Sequence, residues 1–127
     1  MITHNVVGWF EIPVKDMSRA VKFYEAVFNL TISRMHLGND EMGMFPGIEN
    51  SLGAAGALIH APAHYKPSGD GVLIYFTAFS GDVAIELSRV EAAGGTVLIP
   101  KRQISPEIGY MGVFADTEGN RIAVHSR

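Results

Sequence analysis

The residues of widest chemical range in this sequence stand near its two ends: a carboxylate, Glu11, in the run WFEIP, and an imidazole, His125, in the run IAVHS. Both runs have the β-branched and aromatic character of strands, in which residues two apart share a face. Trp9 therefore travels with Glu11, and Ala123 with His125, while in the run VLIYFTAF Tyr75 travels with Thr77. On a common cavity wall, Glu11 is a candidate general base and His125 its partner or an acid. The indole, the phenol and the Thr77 hydroxyl are candidates for stacking on, and hydrogen-bonding to, a small ligand. Each also has a plainer reading, with Glu11 as an acceptor for a nearby loop and Trp9 and Tyr75 as wall or core.

The chain has no cysteine, which excludes a disulfide framework, a thiolate zinc site and a cysteine nucleophile. A metal would need His, Asp or Glu. His60 and His64 have helical ligand spacing, but Pro62 between them argues for a loop. Lys66, Pro67 and Ser68 read as a turn and secondarily as an anion-binding lip, and Met35, Met42, Met44 and Met111 read as core filler or an adaptable pocket lining.

The elements that position these residues come in two similar sets. A strand is expected over 5–14 and a helix after the cap Asp16, with Met17, Ala20, Val21, Tyr24 and Phe28 on one face and Asn29 as its stop. Extended segments follow over 30–36, 42–46 and 54–60. After a turn-rich connector the order restarts: a strand over 72–79, a helix capped by Asp82 with Val83, Leu87 and Val90 in a stripe, a stop at Gly94 and Gly95, and strands near 96–100, 109–115 and 120–126. The pattern is βαβββ twice, an α+β fold.

A shift of 66 residues lays 5–61 over 71–127 and gives nine identities, among them Asp16/Asp82, Phe10/Phe76, Gly43/Gly109 and Ala57/Ala123, where chance gives roughly three or four. The chain is thus expected to be one domain over 1–127, with repeats at about 5–61 and 71–127 and a connector over 62–70. A half of that size is marginal alone, so two curved sheets are expected to pack together around a cavity.

Hydrophobic residues make up 47% of the chain and charged residues 18%, with a formal charge of −3, which fits a folded globular domain with no basic footprint for nucleic acid. The longest apolar runs are far short of the ~20 residues that span a bilayer, and no secretory leader is visible at the N-terminus. A cytoplasmic location is expected.

The strings FEIPVKDMSRAVKFYEAVF, KPSGDGVLIYF, EAAGG and IGYMGVFADTEGNRIAVHS resemble the vicinal oxygen chelate superfamily of glyoxalases, bleomycin-resistance proteins and extradiol dioxygenases. The resemblance covers nearly the whole chain and implies two βαβββ modules enclosing a cavity. It also implies a divalent metal held from four positions, the first and last strand of each module, which fall here on Trp9, Ala57, Tyr75 and Ala123. An indole, two methyls and a phenol make a poor donor set, so no metal and no cofactor is expected. With Trp9 and Tyr75 placed inward by the resemblance, Glu11, Thr77 and His125 face inward too. The expected function is metal-free binding of a small molecule by these five residues, as in the bleomycin-resistance branch. The alternative is a lyase, isomerase or dioxygenase-type enzyme using metal-free acid–base chemistry, or a metal on Glu11, Tyr75 and His125. The resemblance also implies a symmetric homodimer.

Overall fold

The computed structural model describes all 127 residues. The first module consists of β1 (Trp9–Pro13), α1 (Met17–Phe28), β2 (Ser33–Leu37), β3 (Asp40–Met44) and β4 (Ala55–His60). The second consists of β5 (Ile74–Thr77), α2 (Val83–Val90), β6 (Thr96–Ser105), β7 (Gly109–Ala115) and β8 (Arg121–Ser126). Each forms a mixed four-stranded sheet, in the orders β1-β4-β3-β2 and β5-β8-β7-β6, with one parallel pair and two antiparallel pairs.

Both N-caps and the end of α1 fall where the sequence puts them, whereas α2 ends at Val90, ahead of the expected stop at Gly94 and Gly95, and the chain turns through residues 91–94. Asp16 accepts a hydrogen bond from the Arg19 N–H at 3.1 Å, Asp82 accepts one from the Ala84 N–H at 2.9 Å, and Asn29 ends α1 in the left-handed conformation at φ 53°. Three strands differ from expectation; β5 is only Ile74–Thr77, half the expected run over 72–79. β1 starts only at Trp9, leaving residues 5–8 exposed and outside the sheet, and β6 continues through Pro100 to Ser105. A proline without an N–H is tolerated because β6 is an edge strand, and the register shifts between Ile99 and Arg102, where the proline sits.

The two modules match by three different offsets. β4 and β8 match at 66 residues, but Glu11 pairs with Ala57 as Tyr75 pairs with Ala123, so β1 and β5 match at an offset of 64. The bonds Val14 N–H to Ile59 O and Ala78 N–H to His125 O repeat that offset. The slip arises because the connection from β5 to α2 is two residues longer than that from β1 to α1. Its extra length is fastened by the buried Glu86, which accepts from the Ser80 N–H at 3.1 Å and the Ser80 hydroxyl at 2.6 Å. In the hairpins, Gly43 pairs with Leu58 and Gly112 with Val124, an offset of 69. The identities Phe10/Phe76, Gly43/Gly109 and Glu41/Glu107 are therefore coincidences of the ungapped overlay. The true counterparts in the hairpins are Met42/Met111, Gly43/Gly112 and Phe45/Phe114. Both glycines lie against helix side chains: a Cβ at Gly43 would press on Met17 at 3.1 Å, and one at Gly112 would collide with Leu87.

One core serves both modules. The helix-bearing faces of the two sheets contribute Ile12, Leu58, Phe76, Phe114, Ile122 and Val124, and both helices insert between them. Phe23 of α1 meets Phe114 of β7 at 5.7 Å between ring centroids, and Arg89 of α2 donates to the Val27 carbonyl of α1 at 3.0 Å. The opposite, helix-free faces point away from this core and carry two separate small clusters, Met42, Ala57, Ile59 and Ala61 on one sheet and Met111, Val113 and Ala123 on the other.

The modules are locked by the turn Asp116-Thr117-Glu118-Gly119-Asn120 between β7 and β8. The Glu118 carboxylate reaches into the first module and accepts from the Lys15 and Asp16 N–H groups, each at 2.8 Å, and from Arg19 Nε at 2.7 Å. Asn120 Nδ2 donates to the Pro13 carbonyl at 2.8 Å, and the buried Tyr24 hydroxyl donates to Asp116 Oδ2 at 2.6 Å. Burial by itself would raise the pKa of Glu118. The Arg19 guanidinium, the Asp16 N–H, the Thr117 hydroxyl and the Lys15 N–H outweigh it and hold the carboxyl at about 2.

A carboxyl whose pKa is lowered on folding stabilises the fold above its unfolded value near 4.5, and that stabilisation is lost as pH falls toward about 2. Glu118→Gln is expected to cost about 3 kcal/mol near neutral pH, since it uncouples a buried charge from its donors. The difference from the parent protein should shrink as pH is lowered from 4.5 to 3, measured by urea unfolding; a constant difference would remove the charge from the account.

Candidate functional site

The helix-free faces hold the residues singled out from the sequence. On the first sheet, Trp9 is 43% exposed and its indole N–H points at Glu11 Oε2 at 3.4 Å, with Glu11 half-buried opposite Ala57. On the second, Tyr75 is 50% exposed opposite Ala123, and Thr77 pairs with His125. His125 Nε2 lies 2.6 Å from the Ile108 carbonyl oxygen. A ring nitrogen so placed must carry the hydrogen, so a neutral His125 presents Nδ1 as an acceptor. In that form Nδ1 is open to accept a hydrogen bond or a proton, and only the imidazolium could donate one from it.

One chain does not gather the five. Tyr75 and Thr77 border a cavity of about 480 Å³ at the junction of the modules. Glu11 borders a smaller, polar pocket of about 210 Å³ with Lys66, Ser68, Asn120 and Arg121. Trp9 and His125 line neither of these two. The connector is part of the polar pocket because the Ser68 N–H donates to Asn120 Oδ1 at 3.2 Å. Residues Ala61–Tyr65 form a single turn, with the His64 and Tyr65 N–H groups both donating to the Ala61 carbonyl, and His60 closes β4.

The strand register corrects one position of the implied metal set. By pairing, the counterpart of Tyr75 is Glu11 and not Trp9, because of the longer second strand-to-helix connection. The four corners are then Glu11, Ala57, Tyr75 and Ala123. Both alanine methyls are fully buried among apolar neighbours, and nowhere do three or more His, Asp or Glu side chains converge as ligands would. One carboxylate and one phenol do not fit a divalent cation, and Glu11, Tyr75 and His125 do not form a replacement set within the chain.

Sequence reasoning gave no role to Glu86, Asp116 or Asn120. Only the run DTEGN marked the last two, since a short run of donors and acceptors before a strand signals a structured turn.

The family model for the Glyoxalase/Bleomycin resistance protein/Dioxygenase superfamily matches residues 6–124. Among curated proteins, none matches significantly. Solved structures with this fold include a glyoxalase/bleomycin resistance protein from Albidiferax ferrireducens T118, 18% identical, with a TM-score of 0.71 over 97% of this chain and 100% of that one. TnmS3, an antibiotic binding protein from Streptomyces sp. CB03234, is 20% identical with a TM-score of 0.66, over 99% of this chain and 98% of that one. A glyoxalase I mutant from Zea mays is 17% identical with a TM-score of 0.70; 92% of this chain is covered, but it spans only 45% of that protein. No helix of the chain is long and apolar enough to cross a membrane.

The donor set predicts that Zn²⁺, Ni²⁺ or Mn²⁺ at millimolar excess leaves the thermal midpoint unmoved, because a bound ion would raise it in proportion to its affinity. A rise that disappears in Glu11→Gln would show that donors do converge.

Proposed function

For a chain that belongs to the Glyoxalase/Bleomycin resistance protein/Dioxygenase superfamily, we propose metal-free binding of a small molecule at a site shared between two copies. The observation that carries the reading is the direction of the helix-free faces. Trp9 and Glu11 lie on one, Tyr75, Thr77 and His125 on the other, and both turn away from the common core. A two-fold axis that lays the first sheet of one copy on the second sheet of another makes the reciprocal contact as well, so the pair closes as a dimer. It also covers large apolar side chains left in water on the first face, Trp9 at 43%, Met35 at 45% and Leu37 at 53% exposure.

The ligand then lies between sheets, with Trp9 and Tyr75 stacking on it and Glu11, Thr77 and His125 forming hydrogen bonds. An aromatic molecule with a donor group meets these requirements, and binding of an antibiotic by TnmS3 accords with that class. The same arrangement sets a carboxylate and an imidazole base beside the ligand, the pair required for proton transfer on it; turnover is therefore assayed with the same variants.

The test titrates a panel of aromatic antibiotics, bleomycin included, against the fluorescence of Trp9, the single tryptophan. Light scattering should give a dimer. Glu11→Gln and Tyr75→Phe should each weaken the responding antibiotic about tenfold. A mixed dimer with one substitution on each copy should retain half its sites at full affinity, because one site then receives both altered residues and the other neither. Uniform weakening of every site in the mixed dimer, or a monomer by light scattering, would refute the shared site.

A further inference from the structure

We propose that the cavity at the junction of the modules is a second binding site, formed within one chain, for an uncharged apolar or aromatic molecule. The cavity is about 480 Å³, within the range of pockets that enclose small organic ligands. No Asp, Glu, Lys, Arg or His lines it. A charged ligand would be desolvated there without a partner, whereas a neutral one loses nothing comparable.

Its wall is three phenylalanines from the helix-bearing faces. Phe10 lies 5.8 Å from Phe45 and 5.7 Å from Phe76, and Phe45 lies 5.4 Å from Phe76, between ring centroids. Leu30 and Ile74 add to the apolar lining, and Tyr75 and Thr77, also placed in the proposed shared site, border the cavity as well. Gly56, lacking a side chain, leaves room for the Phe10 ring that forms part of this wall; a Cβ there would come within 2.5 Å of the Phe10 ring and carbonyl. The counterpart of Gly56 in the second module is Ile122, a buried core residue, and the corresponding pocket there, bordered by Glu11, Asn120, Arg121 and Ile122, is smaller and carries charged groups.

The mouth is equally apolar. In the loop between β3 and β4, Ile48 is 81% and Leu52 is 94% exposed, and Phe79 faces the same opening at 66%. Large apolar side chains around an apolar hollow gain burial when a ligand enters, at roughly 25 cal/mol per Å² removed from water.

N-phenyl-1-naphthylamine and 1-anilinonaphthalene-8-sulfonate share one skeleton and differ by a sulfonate, which makes them matched probes of charge. The neutral amine should bind one per chain with enhanced emission, and the sulfonate about tenfold more weakly. Leu52→Glu and Ile48→Glu, both at exposed positions, should weaken the amine about tenfold while leaving the thermal midpoint unchanged. Met35→Glu with Leu37→Glu alters only the helix-free face and should leave amine binding in place even if the chain becomes monomeric. Equal affinity for the sulfonate, no binding of the amine, or indifference to both loop substitutions would overturn the proposal. Loss of amine binding on altering the helix-free face would assign the probe to the shared site instead.

Discussion

The carboxylate of Glu118 governs how the two halves of this molecule sit together. It has no exposed side-chain surface, yet it remains ionised because a guanidinium, two main-chain N–H groups and a hydroxyl converge on it. Three of those donors belong to the first module. Asp116 and Asn120 in the same turn hold Tyr24 and Pro13, so five residues fasten the end of β1 and the start of α1 to the second sheet. Every buried polar side-chain atom finds a partner, which is what a buried network requires if it is to orient neighbours without costing stability.

From that contact follows the placement of everything with chemical interest. With the helices drawn inward between the sheets, the outward faces are left to carry Trp9, Glu11, Tyr75, Thr77 and His125, and the seam between the modules is left to hold a hollow. Of the four corners Glu11, Ala57, Tyr75 and Ala123, two are buried alanine methyls, which offer no donor atom. The shared core and the Glu118 contact supply the cohesion between the modules.

Local elements were legible in the sequence. Asp16, Asp82 and Asn29 act through backbone groups within a few residues of themselves, so spacing alone reveals them. The run of β6 through Pro100 was not, because proline ends a strand unless the strand is an edge, and edge status is a tertiary fact. The strand register was misjudged for a similar reason. An ungapped overlay cannot sense that Ser80 and Gly81 lengthen one connection, and it assigned to Trp9 the corner that pairing gives to Glu11. Residue types at the site were visible from alternation; that they occupy opposite outer faces depends on contacts about 100 residues apart, such as Lys15 with Glu118.

The hairpin of the second module is longer, and the loop before β4 in the first is longer by the same three residues, since the strands on either side match at 69 and then again at 66. Length has migrated from one place to another with no change in the total. In one module the passage into the last strand is a tight polar turn, and in the other a longer loop that leaves Ile48 and Leu52 in water. One end of the duplicated architecture is thereby given to cohesion, and the equivalent end of its twin is released from that duty.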